Sequence, residues 1–531
     1  MKMTKKLLAL ALALVMVLTL TGAALAATVT IPTEGILKDH TFTAYQVFSG
    51  TESKGILSDV QWGSGISSDA FLAALKTLTV GEQTVSLFKD CTDAKSVADV
   101  LTTNNSNNAL ANAVAKLAYA NKIGDGSALN APTTDLASGY YLVVDTTAHV
   151  GAGGAYNTAL LQVVGNINIT VKTDVPTFEK KVKEDDKYNQ DGGYGTGYND
   201  VADYNMGDAV PFHLIGSVPD MSRYDTYKYI FHDTLSTGLT APNNTDIKVY
   251  RSNDRIIDAG DTDVTSSFSI TVNGQSITAS IDNLKGISDI QKGQYIIVEY
   301  SAVLNQSAVI GLDGNLNTGH LEYSNKPDQS GSGDTDNTGN TPEDKVIVFT
   351  YELDTTKVDG KDNNQKLKDA EFKLKNDAGK WAIVNSDNKV TSWADTEEGG
   401  STLTSGTNGL FKVIGLDAGT YYLKETKAPA GYNLLTNEIT VAITANTANG
   451  QNWSDYVASS ALTALSVTAD NKSGTADATT GIAGITIANN KGATLPTTGG
   501  MGTTLFYVLG SVLVIGAVVL LVSKKRMSKS E

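Results

Sequence analysis

The chain has 531 residues, 57 of them acidic and 41 basic, for a formal net charge of -16. That balance disfavours nucleic acid as a partner, and the length is enough for three domains of ordinary size. The single cysteine, Cys91, excludes an intramolecular disulfide and reads as a small core residue. The five histidines are scattered, with no CxxC or HExxH, so neither a metal nor a cofactor is expected.

Residues 1–26 read as a secretory signal: Lys2, Lys5 and Lys6, an apolar run from Leu7 to Leu20, then Ala24-Leu25-Ala26 as a small-x-small cleavage site. Residues 27–170 form a first unit. Strands are expected at 42–48, 140–144 and 159–164, with helical patterns at 70–78, 94–101 and 109–120 between them. It is mainly β with a helical insertion. Residues 171–326 form a second unit, where period-two alternation recurs at 209–214, 227–231, 267–272 and 295–300. His213 and His232 fall in such stretches, where they need be no more than strand residues.

Residues 327–344 are dominated by Gly, Ser, Asp, Asn and Thr and read as a linker or long loop. A third unit, 345–493, has strands expected at 346–353, 370–374, 409–413, 421–425, 438–443 and 484–489. Short strands with little helix predict a β-sandwich. Residues 494–531 carry Leu495-Pro496-Thr497-Thr498-Gly499, an apolar stretch from Thr504 to Val522, and Lys524-Lys525-Arg526. The stretch is long enough to span a bilayer, and the basic cluster would stay on the cytoplasmic side.

The third unit carries the clearest chemistry. Lys357 ends its first strand, Asn489 shares a face with Ile485 and Ile487 on its last, and Glu425 shares a face with Tyr421 and Leu423. If those faces line the core, an amine, a carboxamide and a carboxyl converge where burying them unpaired is costly. Burial drives the lysine toward its neutral, nucleophilic form, and a neighbouring acid can assist its attack on the carboxamide. Ammonia would leave and an amide would join Lys357 to Asn489. Only these self-directed sets appear, with nothing suited to turnover.

The C-terminal pentapeptide, apolar span and basic tail resemble the cell-wall sorting signal of Gram-positive surface proteins. The whole chain is similar to the major, or backbone, pilins that sortase assembles. Its third unit resembles the Cna protein B-type domain, with the E-box in Tyr421-Tyr422-Leu423-Lys424-Glu425-Thr426-Lys427-Ala428-Pro429-Ala430-Gly431-Tyr432. The resemblance implies an all-β fold of tandem immunoglobulin-like (Cna B-type) sandwiches, the first with a helical insertion. It also implies an isopeptide bond in the second unit. Lys180, in Pro176-Thr177-Phe178-Glu179-Lys180-Lys181-Val182, is the expected nucleophile, and Asn325, in Leu321-Glu322-Tyr323-Ser324-Asn325, the expected acceptor. Asp233 is the expected acid, with Glu299 as its rival.

By the same resemblance, sortase cleaves between Thr498 and Gly499 and passes the Thr498 carbonyl to a lysine of an identical subunit. Lys172 holds the place of that acceptor, although no Tyr-Pro precedes it, and Lys181 and Lys183 are the alternatives. The implied role is the shaft of a covalent pilus, with sortase, identical subunits, minor pilins and peptidoglycan as partners and no nucleic acid. It is a sortase substrate, not an enzyme. The other reading is a wall-anchored adhesin or ancillary pilin that binds a host ligand.

Overall fold

A computed structural model describes residues 27–31, 40–80, 83–84, 86–148, 150–156, 158–168, 174–186, 188–327, 338–451, 453–492 and 501–527. The signal segment 1–26, Lys172 and the pentapeptide Leu495–Gly499 lie outside the described residues, as do residues 328–337 of the expected linker.

β-Strands are the main element among the described residues, and many of them alternate buried and exposed positions. The first domain has one sheet of Ile56–Trp62, Phe42–Ser53, Gly139–Asp145 and Thr158–Val163, and a smaller one around Ala27–Thr30. Three helices, Ser68–Lys76, Ala94–Thr103 and Asn108–Ala120, are inserted between its strands. The second helix starts at Asp93, whose carboxylate accepts from the Ser96 amide at 2.8 Å, while the Ser96 hydroxyl meets the Asp93 amide. That reciprocal pair satisfies two backbone donors that a helix start leaves orphaned. The third starts at Asn107, whose side chain accepts from the Leu110 amide. Cys91 is buried among these helices, and burial holds its thiol pKa up.

The middle domain is a sandwich of two seven-stranded sheets. Phe178–Lys183 lies beside Ala209–Ser217 in one sheet, with Lys180 opposite Leu214. Tyr295–Leu304 follows on the other side of Ala209–Ser217. In the facing sheet, Tyr229–Leu235 pairs with Asn315–Ser324, placing Asp233 opposite Gly319 and His232 opposite His320.

The segments Thr338–Asn340 and Asp344–Phe349 also pair with Asn315–Ser324 and so belong to the middle sandwich. The sequence reading divides them between linker and third unit. Thr350 alone separates Asp344–Phe349 from Tyr351–Asp359, the first strand of the third domain. Residues 346–353 are buried throughout and almost all apolar, a continuous run with no break at Thr350, so the pattern carries no sign of the change of sheet.

In the third domain, Tyr351–Asp359 runs parallel to the last strand, Ile482–Asn489, with Lys357 opposite Ile487. Gly419–Lys427 lies in the facing sheet between Glu371–Asn376 and Ile439–Thr447. The middle and third domains share one continuous apolar core, whereas the first domain's two apolar clusters are separate. Met206 of the middle domain reaches the third, its amide donating to the Gly415 carbonyl at 2.9 Å. Gly415 has φ +89°, and a Cβ there would lie 2.4 Å from Met206 Cγ, so both backbone and space call for glycine. The C-terminal helix Met501–Met527 is long and apolar enough to cross a membrane, its apolar run ending at Lys524-Lys525-Arg526.

Candidate functional site

Two buried clusters of amine, carboxamide and acid stand out, one in each of the last two domains. In the third domain, Lys357 Nζ donates to Asn489 Oδ1 at 2.6 Å and to the Ile487 carbonyl at 3.2 Å. Asn489 Nδ2 lies 2.9 Å from both oxygens of Glu425 and 2.9 Å from the Asn433 carbonyl. The Leu435 amide donates to Glu425 Oε2 at 2.8 Å, fixing the carboxyl, and Lys357 Nζ is 4.0 Å from Glu425 Oε1. Neither the Lys357 nor the Glu425 side chain is exposed to solvent. Burial lowers the Lys357 pKa to about 8, against the opposing pull of Glu425. The local cause of this convergence is the strand period. Lys357 faces inward between Thr355 and Asp359, Glu425 follows Tyr421 and Leu423 on one face, and Asn489 follows Ile485 and Ile487.

In the middle domain, Lys180 Nζ lies 2.6 Å from Asp233 Oδ1, with no exposure of either side chain. Its ammonium stands 5.5 Å from the Phe212 ring centre and 5.8 Å from that of Tyr300. Burial lowers its pKa, opposed by the Asp233 charge. The Tyr300 hydroxyl donates to Asp233 Oδ2, and Asn317 Nδ2 donates to that hydroxyl at 2.7 Å. Asn317 is wholly buried, and its Oδ1 has no hydrogen-bond partner among the described residues.

The sequence reading names Asn325, whereas the carboxamide that the structure joins to Asp233 through Tyr300 is that of Asn317. Asp233 stands opposite Gly319, and Asn317 is two positions away on the same face, about 7 Å along the strand. Asn325 is six positions away on the other side, about 20 Å, far beyond the reach of a lysine already held at Asp233. Its surroundings differ too. Its carbonyl accepts from the Tyr156 amide of the first domain at 2.8 Å, and it borders a cavity of about 320 Å³ with Tyr156 and Lys326. Both asparagines occupy inward positions by the two-residue period, so the pattern does not separate them. The signal that would have found Asn317 is its register with Asp233.

Glu299 is on the opposite side of its strand from Tyr300. It is 39% exposed and meets His213 at 3.5 Å, away from Lys180. Among the alternative acceptors, Lys181 is buried, 2.6 Å from Asp200 and 4.6 Å from the Tyr194 ring centre. An amine so enclosed cannot reach an acyl-enzyme without breaking that pair. Lys183 is partly exposed near the Tyr198 ring.

Comparison with known proteins agrees with this architecture. Residues 206–327 match the family of Gram-positive pilin backbone subunit 2, Cna-B-like domain. Residues 351–456 match a prealbumin-like fold domain, and 478–529 the LPXTG cell wall anchor motif. The Trypsin-resistant surface T6 protein of Streptococcus pyogenes serotype M6 is 24% identical over 379 residues, 61% of this chain. The match spans 65% of that relative's length, just under two thirds.

Among solved structures, the T6 backbone pilin of serotype M6 Streptococcus pyogenes matches with a TM-score of 0.50 and 18% identity. It covers 89% of this chain and 100% of that one. The full-length major pilin SpaD of Corynebacterium diphtheriae gives a TM-score of 0.45 and 16% identity, over 88% and 98% of the two chains. At 18% identity the T6 likeness bears on the fold alone. The successive family matches carry the assignment: the chain belongs to the Gram-positive backbone pilins, structural proteins with Cna-B-like domains and an LPXTG cell-wall anchor motif.

Proposed function

We propose that this backbone subunit is locked by two autocatalytic isopeptide bonds, Lys357–Asn489 in the third domain and Lys180–Asn317 in the middle one. The observation that carries the reading is the third-domain geometry. An amine of lowered pKa touches a carboxamide whose nitrogen already bonds both oxygens of a buried acid. In the reaction the neutral Lys357 amine attacks Asn489 Cγ. Glu425 takes a proton from the attacking amine and delivers it to Nδ2, so the C–N bond breaks and ammonia departs. One amide is lost, one is gained, and no oxidant or cofactor enters.

Asp233 has the corresponding role for Lys180, with Tyr300 linking the acid to Asn317. Tyr300 is buried beside the Asp233 charge, both of which raise its pKa and keep it a hydrogen-bond donor. The two bonds differ mechanically. The third-domain bond ties two adjacent parallel strands, whereas the middle-domain bond joins facing sheets.

For assembly, sortase would cleave after Thr498 and transfer that carbonyl to Lys172 of another copy, with Lys183 the remaining alternative. Head-to-tail linkage of this kind does not close on itself and extends a fibre. The last subunit would be passed to peptidoglycan, and minor pilins would join through the same chemistry. Peptide mass spectrometry of the protein tests the internal bonds. The expected result is linked peptides containing Lys180 with Asn317 and Lys357 with Asn489, and a loss of two ammonia molecules in all. Intact side chains at all four positions in well-folded protein would defeat the proposal. Linked peptides from native polymer would locate the partner of Thr498.

A further inference from the structure

Two of the chain's five histidines, far apart in sequence, meet on the outer face of the middle domain. His232 and His320 are directly opposite each other on paired antiparallel strands. Their rings stack with centroids 4.9 Å apart and planes at 19°. Glu322, two residues beyond His320 on the same face, places Oε2 2.9 Å from His232 Nε2. All three side chains are partly exposed, the His232 side chain at 34% and that of Glu322 at 21%. The neighbouring Phe231, Asp233 and Leu321 point the other way, into the core. Glu343 is a further acidic neighbour of His320, and Lys228 and His232 offset the charge of Glu322.

We infer that His232, His320 and Glu322 form a surface site for a divalent transition-metal ion, with Zn²⁺ the fitting occupant. Opposed strand positions hold the two ring centres 4.9 Å apart in a stack, so the three donor atoms do not converge in this arrangement, and binding requires the rings to turn out of the stack toward a common point. Two imidazoles and a carboxylate are a donor set suited to zinc, leaving a fourth tetrahedral position for water. Hard calcium and magnesium, which take mainly oxygen ligands, have no such set here. Sequence spacing gives no hint of the site, because the ligands are brought together by register between strands. A bound ion would clip together the two strands that carry Asp233 and Asn317 on their inner faces. The site does not depend on the internal bonds, since its side chains face the opposite way.

The test is calorimetric titration of ZnCl₂ into metal-stripped, detergent-solubilised full-length protein. Saturable binding is expected, weakened at least about tenfold in His232→Gln and in His320→Gln, since loss of outer-shell partners alone costs that much at zinc sites. Excess CaCl₂ should not compete. Unchanged Zn²⁺ affinity in both variants, or no saturable binding by the wild type, would overturn the assignment. Should either variant misfold by circular dichroism, the wild-type protein still decides the matter by NMR. Substoichiometric Cu²⁺ is expected to broaden the His232 and His320 ring signals before those of His40 and His213, and uniform broadening would refute the site.

Discussion

Replacing Asn317 by alanine separates the two candidate acceptors of the middle domain. Joining Lys180 to Asn317 closes a loop of roughly 140 residues, which the chain-entropy model values at about 5 kcal/mol of stabilisation. For a domain of this size each kcal/mol moves the melting temperature by about 2–4 °C. Asn317→Ala should therefore lower the middle-domain transition by about 10–20 °C and leave the chain one ammonia heavier than expected from the substitution alone. Asn325→Ala should do neither, because Asn325 is about 20 Å along the strand from the residue opposite Asp233. Intact mass under denaturing conditions and differential scanning calorimetry of both variants supply the readouts. A missing ammonia loss in Asn325→Ala, with normal loss in Asn317→Ala, would refute the register-based reasoning.

Glu425→Ala should leave a folded third domain that fails to form the Lys357–Asn489 link and is cut faster by trypsin. Normal bond formation in that variant would exclude a role for the acid. Asp233→Ala should block the middle-domain link while Glu299→Ala leaves it intact, as read by linked-peptide mass spectrometry. Because the attacking species is the neutral amine and the Lys357 pKa is lowered to about 8, third-domain bond formation should speed up as pH rises from about 6 and level off above about 8. A rate independent of pH across that window, measured on freshly folded protein, would contradict the assignment of Lys357 as nucleophile. Gly415→Ala should destabilise the junction of the middle and third domains by about 1–3 kcal/mol, because the new methyl meets Met206. Chemical denaturation is the check.

How much was legible in the sequence differs between the two clusters. The third-domain residues sit in short strands where a two-residue period and a run of consecutive motif residues fix which side chains turn inward. The structure brings Lys357, Glu425 and Asn489 into contact. In the middle domain the same period admits both Asn317 and Asn325, and only pairing with Tyr229–Leu235 sets the depth of each. Lys181 is an alternative acceptor by the resemblance, but the outer face of its strand is covered and pairs it with Asp200. The polar composition of 327–344 suggests a linker, yet its end rejoins the middle sandwich as strands. Sheet membership is decided by partners distant in the chain, which local composition does not record.

Thr350 is the whole connection between the middle and third sandwiches, and their apolar interiors merge across it. Such a joint leaves no slack to take up, so the two modules bend together as a single stiff beam. The first domain has its own interior and meets the middle one through contacts such as Gly153 with Asn340 and Lys116 with Asp225. Flexural compliance in a strung series of these subunits would then concentrate at one articulation per repeat, giving a filament whose curvature under flow comes in discrete steps the length of a subunit.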